Sequence, residues 1–138
     1  MASEARAKVE TSWQQLMETV NGIPEERLAE PGAVGVWSVK DLLGHIAYWD
    51  AVAADNAAQL ARGETIEDED WQLLNERSAT ERAGWPLEQI RAELERSHAR
   101  VLDALDRYPE LSEEHWSGET WEHYDEHVVD LNNWLNGG

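Results

Sequence analysis

Apolar residues recur at steps of three and four along four long stretches of the chain, and no stretch alternates apolar and polar residues convincingly enough to read as a strand. The first stripe is Val9, Trp13, Leu16, Val20 and Ile23 on an otherwise charged background. It predicts a helix that ends at Asn21-Gly22, with an irregular stretch opening at Pro24. The second runs from about Ser38 to Arg62, through Leu42, His45/Ile46, Trp49, Ala53, Asn56 and Leu60. Ser38 is a good N-cap, Asp41 stands at the third helical position of a capping-box-like arrangement, and Gly63 suits the position after the last turn. The third helix starts near Pro86. It carries Leu87, Ile90, Leu94, Ser97/His98, Val101, Leu105 and Tyr108, and it stops at Pro109. The fourth begins between Ser117 and Thr120, shows Trp121, Tyr124, Val128, Leu131 and Leu135 on its apolar face, and leads to Gly137-Gly138.

Residues 30–35 read as loop. Between 64 and 85 the pattern weakens. The acidic run 67–70 favours a helix N-terminus, where negative charge meets the positive end of the helix dipole, and Trp71 and Leu74 fit a short helix. This stretch is longer than most helix–helix loops, so it reads as a crossover between the ends of a bundle. Four helices with one apolar stripe each bury them most economically together. The predicted fold is therefore all-α, a four-helix bundle with a long crossover, in a single domain over residues 1–138.

Composition narrows the function. The net charge of −18 would repel nucleic acid and an anionic membrane face alike. No apolar run approaches the roughly 20 residues needed to span a bilayer, and Met1–Lys8 lacks the apolar core of a signal peptide, so a cytoplasmic location is expected. The chain has no cysteine, which excludes disulfides, thiolate metal sites and a protein thiol nucleophile. Any transition-metal site must then be built from His, Asp or Glu.

His123 and His127 form such a pattern. Four residues apart on a helix, they project from adjacent turns of one face and can reach one ion at about 2.0–2.1 Å. His45, beside the buried stripe of the second helix, is the best third ligand. His98 reads as partly buried structure and His115 as loop or helix-end surface. Trp13, Trp49, Trp121 and Trp134 read as core volume in a chain with no Phe, and Trp37 as a staple at the start of the second helix. Glu119, Glu126 and Asp130 lie within a turn of the paired histidines. Of these, Glu126 and Asp130 are the candidate orienting or general-base carboxylates, against the alternative of a solvated acidic face.

Two segments carry a family resemblance. One holds Trp37-Ser38, Asp41-Leu42-Leu43 and His45-Ile46; the other holds Thr120-Trp121, His123-Tyr124 and Glu126-His127. In order and separation they resemble the two signature regions of the DinB/YfiT-like superfamily. That resemblance implies a four-helix bundle with a crossover and a divalent metal, zinc or nickel, held by His45, His123 and His127. A related branch, the colibactin-resistance-like cyclopropane hydrolases, generally lacks the paired histidines kept here. Other relatives are low-molecular-weight-thiol transferases, including maleylpyruvate isomerases, which often carry an additional domain.

The expected function is thus a metal-dependent hydrolase or thiol S-transferase acting on a small molecule, in detoxification or stress response. The rival is a non-catalytic, metal-stabilised or ligand-binding bundle. The resemblance also makes a homodimer plausible.

Overall fold

The computed structural model describes residues 2–137; Met1 and Gly138, which open the charged start and close the terminal glycine pair, lie outside the described residues. The predicted helices are present as α1 (Ala2–Asn21), α2 (Val39–Ala61), α4 (Leu87–Arg107) and α6 (Trp121–Leu135). Two shorter helices complete them, α3 (Trp71–Arg82) and α5 (Glu113–Ser117), with a 3-10 turn at Glu25–Arg27. Among the described residues there is no strand, only an isolated bridge between Val34 and Trp37.

The local signals act as their chemistry dictates. The Ser38 hydroxyl accepts from the Asp41 amide at 3.1 Å while the Ser38 amide donates to the Asp41 carboxylate at 3.0 Å, a complete capping box at the start of α2. After α2, Gly63 takes φ +81°, a left-handed conformation that costs glycine nothing. Asp70 caps α3 by accepting from the Leu73 amide at 3.2 Å. Pro86 sits just outside α4, at its N-cap.

α2 packs along α4, α1 along α6, and α3 leans on α2. The stripes meet in one core that includes Leu16, Leu42, Leu43, Ile46, Leu105 and Leu131. At Gly44 an added Cβ would come within 3.1 Å of the Arg82 side chain and 3.4 Å of Ile90, so a larger residue would require these neighbours to shift by a few tenths of an ångström. Arg82 crosses this contact in a forked pair with Glu93, at 2.6 and 2.7 Å, with both side chains largely buried.

Two expectations change. The fully buried indole belongs to Trp116, while Trp13, Trp121 and Trp134 are half-buried at the margin of the core and Trp49 is half-buried in a cleft wall. Trp116 lies on α5, a helix too short to show a periodic stripe. His115, expected at the surface, is half-buried on the same short helix, edge-on to Trp116 at 4.6 Å. His98 is buried as structure and stacks flat on Trp13 at 3.7 Å.

The deepest polar feature joins α2 to α6. Asp50 is wholly buried and its Oδ1 accepts the Tyr124 hydroxyl at 2.8 Å; its Oδ2 has no hydrogen-bond partner. Burial pushes the Asp50 carboxyl well above its ordinary range, and the Tyr124 hydroxyl well above its own.

Tyr124→Phe removes the donor and strands the carboxyl, so it is expected to lower unfolding stability by about 1–3 kcal/mol in urea titrations. A loss below a few tenths would contradict the assignment. Because the folded state holds the Asp50 proton more tightly than the unfolded chain, Asp50 contributes less stability as pH rises above about 4. The stability of wild type relative to Asp50→Asn should therefore fall between pH 5 and pH 8.

Candidate metal centre

The three histidines singled out by spacing come together from two helices. His45 lies on α2, beside Gly44, whose backbone faces the Arg82 and Ile90 side chains. His123 and His127 lie one turn apart on α6. His45 Nε2 and His123 Nε2 are 2.9 Å apart, and one nitrogen from each of the three rings falls within 4.8 Å of the others. The ring centroids are 4.6 to 5.4 Å apart, and the planes are steeply inclined. Rings in this attitude aim nitrogens at a common point instead of stacking.

Trp37, expected to staple the start of α2, packs on His45 at 4.8 Å. Trp49, one turn after His45, donates its indole N–H to the Asn75 side chain of α3 at 2.6 Å. The two carboxylates nominated by sequence separate in role. Asp130 accepts from or pairs with His127 Nδ1 at 3.0 Å, whereas Glu126 is exposed at the rim of the histidine cleft. Glu119, one turn before His123, is half-buried and lines that cleft and the larger one beside it, and burial raises its carboxyl above the ordinary value. Helical phase alone did not separate it from its neighbours.

Burial keeps the His45 and His123 rings neutral. His45 is lowered to about 4, by burial first and then by His127, against a weak opposing contact from Asn75. His123 is lowered to about 3 by burial, His127 and His45, against the Glu119 backbone. Neutral imidazoles are the form that binds a cation. The Nδ1 atoms of His45 and His123 are buried without a hydrogen bond of ordinary geometry.

The residues fit a divalent ion. Two buried lone pairs 2.9 Å apart either share one proton or face one cation, and the spacing lets both reach an ion at about 2.0–2.1 Å. An all-imidazole donor set suits zinc and nickel alike. The Asp130–His127 contact matches the carboxylate that commonly orients a ligand imidazole.

A helical bundle with a histidine cluster between its second and last helices defines the class, and comparison with known families identifies it. A family model of the DinB superfamily matches residues 8–133, and the chain belongs to that superfamily. The crystal structure of an uncharacterised protein from Escherichia coli UTI89 has the same fold. It aligns with a TM-score of 0.82 at 18% identity, over 99% of this chain and 94% of that one. No curated protein matches the chain significantly.

The lowered histidines give a pH signature of the metal-free protein. Below the ordinary value of 6.5 the unfolded chain takes up protons that folded His45, His98 and His123 refuse until about 4, about 4 and about 3. Their contribution to stability is complete above about pH 6.5 and is lost progressively as pH falls toward 4. In denaturation series with chelator present, the stability of wild type relative to His123→Asn should decline across that interval; a constant difference would contradict it.

Proposed function

We propose that the protein is a metal-dependent enzyme acting on a small molecule, with His45, His123 and His127 holding one divalent cation, zinc or nickel. The observation that carries this reading is the convergence of three imidazoles at the wall of an open cleft of about 420 Å³. Three protein ligands and access from solvent are the arrangement of catalytic rather than purely structural sites. The cation supplies Lewis acidity toward a nucleophile or a substrate carbonyl.

The chain's own groups complete the task. Asp130 holds the His127 ring and favours the tautomer that leaves Nε2 free. Glu119, with its proton affinity raised by burial, lines the same cleft and is placed to accept or return a proton. Trp49 and Trp71 wall the cleft and exclude part of the water.

Between water and a low-molecular-weight thiol as nucleophile, the lining favours water. Carboxylates surround the approach, and a thiol that itself bears carboxylates is repelled there. The reaction we assign is therefore hydrolysis of an electrophilic small molecule, with thiol transfer second. A detoxification or stress role accords with such chemistry.

Protein purified without a histidine tag should contain close to one equivalent of zinc or nickel by elemental analysis, and His45→Ala should lose it. Asp130→Asn should weaken metal affinity about 10–100-fold, whereas Glu126→Gln should leave it within twofold. Helicity and melting that chelation does not change, together with no metal in the purified protein, would point to a metal-free binding module. Hydrolytic turnover surviving His45→Ala would remove the metal from catalysis.

A further inference from the structure

Beside the histidine cleft lies a larger one of about 620 Å³, and the two share Trp49, Trp71 and Glu119 as walls. We propose that this second cleft is the substrate-binding arm of the histidine site, and that it selects a small molecule carrying a positive charge next to a flat apolar body. The proposal rests on the enzymatic reading of the histidines only for the word substrate; the binding itself stands on the cleft.

The apolar side comes first. The cleft runs between α2, the connection after it and the start of α3, with Val52 and Leu74 among its lining. Trp71 is 61% exposed, although it is the first residue of a capped helix and so held in place. An indole left open to water over a cavity, opposite the half-buried Trp49, presents a flat face for a ring or chain to cover.

Charge then sets the sign of the ligand. Six carboxylates line the cleft and no lysine, arginine or histidine does. Asp55 is paired with Arg100 and Glu64 with Arg62, both pairs turned to solvent. Glu67, Asp68, Glu69 and Glu119 have no ion-pair partner among the described residues. An anion entering here meets these four carboxylates at close range, whereas a cation gains both them and the faces of the indoles. What sets this cleft apart is that its carboxylates stand around a cavity walled by two indoles, with no basic residue in the lining.

The test uses three probes of one shape: phenethylamine, 3-phenylpropionate and 2-phenylethanol, titrated calorimetrically into the full chain with chelator present and again after zinc loading. The amine should bind at least tenfold more tightly than the carboxylate in both states. Trp71→Ala should weaken the amine and the alcohol together. The double substitution Glu67→Gln/Glu69→Gln should weaken the amine about fivefold or more and leave the alcohol unchanged. Glu88→Gln/Glu95→Gln, on the exposed face of α4, makes the same change in net charge and should have little effect. Equal losses in the two double variants would mean general attraction to an acidic protein, and would overturn the proposal. So would carboxylate binding as tight as amine binding, or no measurable amine binding. Metal uptake measured on the same samples keeps the readings apart: amine binding without metal binding removes the catalytic centre and leaves the cleft.

Discussion

The Asp50–Tyr124 hydrogen bond is the constraint on which the site depends. α2 and α6 make little backbone contact with each other; each is packed chiefly against another helix, α2 on α4 and α6 on α1. A buried bond of 2.8 Å ties them, five residues after His45 on one side and one residue after His123 on the other. A carboxyl taken wholly out of water is costly unless it is bonded, so the pairing is strongly specified. It fixes the axial and rotational placement of α6 against α2, and with it the distance between the His45 and His123 rings. Trp13 packs edge-on against Tyr124 at 5.3 Å, which brings α1 into the same clasp.

Gly44 and Arg82 set the other side of His45. The missing side chain at Gly44 lets α2 settle against Arg82 and Ile90, and the forked Arg82–Glu93 pair binds α3 to α4 across the contact. His45 thus projects from a stretch of α2 held on both flanks. Such support holds the ring nitrogens near their places. Asp130 restrains His127 in the same sense.

The acidity of the chain is distributed unevenly in effect. On the outer helix faces, arginines and lysines offset it in exposed pairs, each worth little to stability. The cleft next to the histidines is lined by six carboxylates and no basic residue, and of these only Asp55 and Glu64 are paired, with Arg100 and Arg62. None of the helices among the described residues is long and apolar enough to cross a membrane.

The four long helices were legible because each buries one stripe, and periodicity, the Ser38 capping box, Gly63 and Pro109 are local signals that survive in a one-dimensional reading. The paired histidines were legible for the same reason: four residues on a helix is a fixed distance. The short helix α5 and the burial of Trp116 were not, because five residues show no period and their burial depends on α1 and α2 arriving from far away in the chain. Nor was the role of Asp50. An acidic residue on a charged helix looks solvated until Tyr124, 74 positions later, is seen to cover it. The same holds for the choice among the three nearby acids. Spacing placed Glu119, Glu126 and Asp130 within a turn of the histidines, but only the rotation of α6 about its axis turned Asp130 onto His127 and left Glu126 in solvent, and only the turn before α6 set Glu119 in the wall of both clefts. Local spacing determines what a helix can present; the packing of one helix on another decides what it faces.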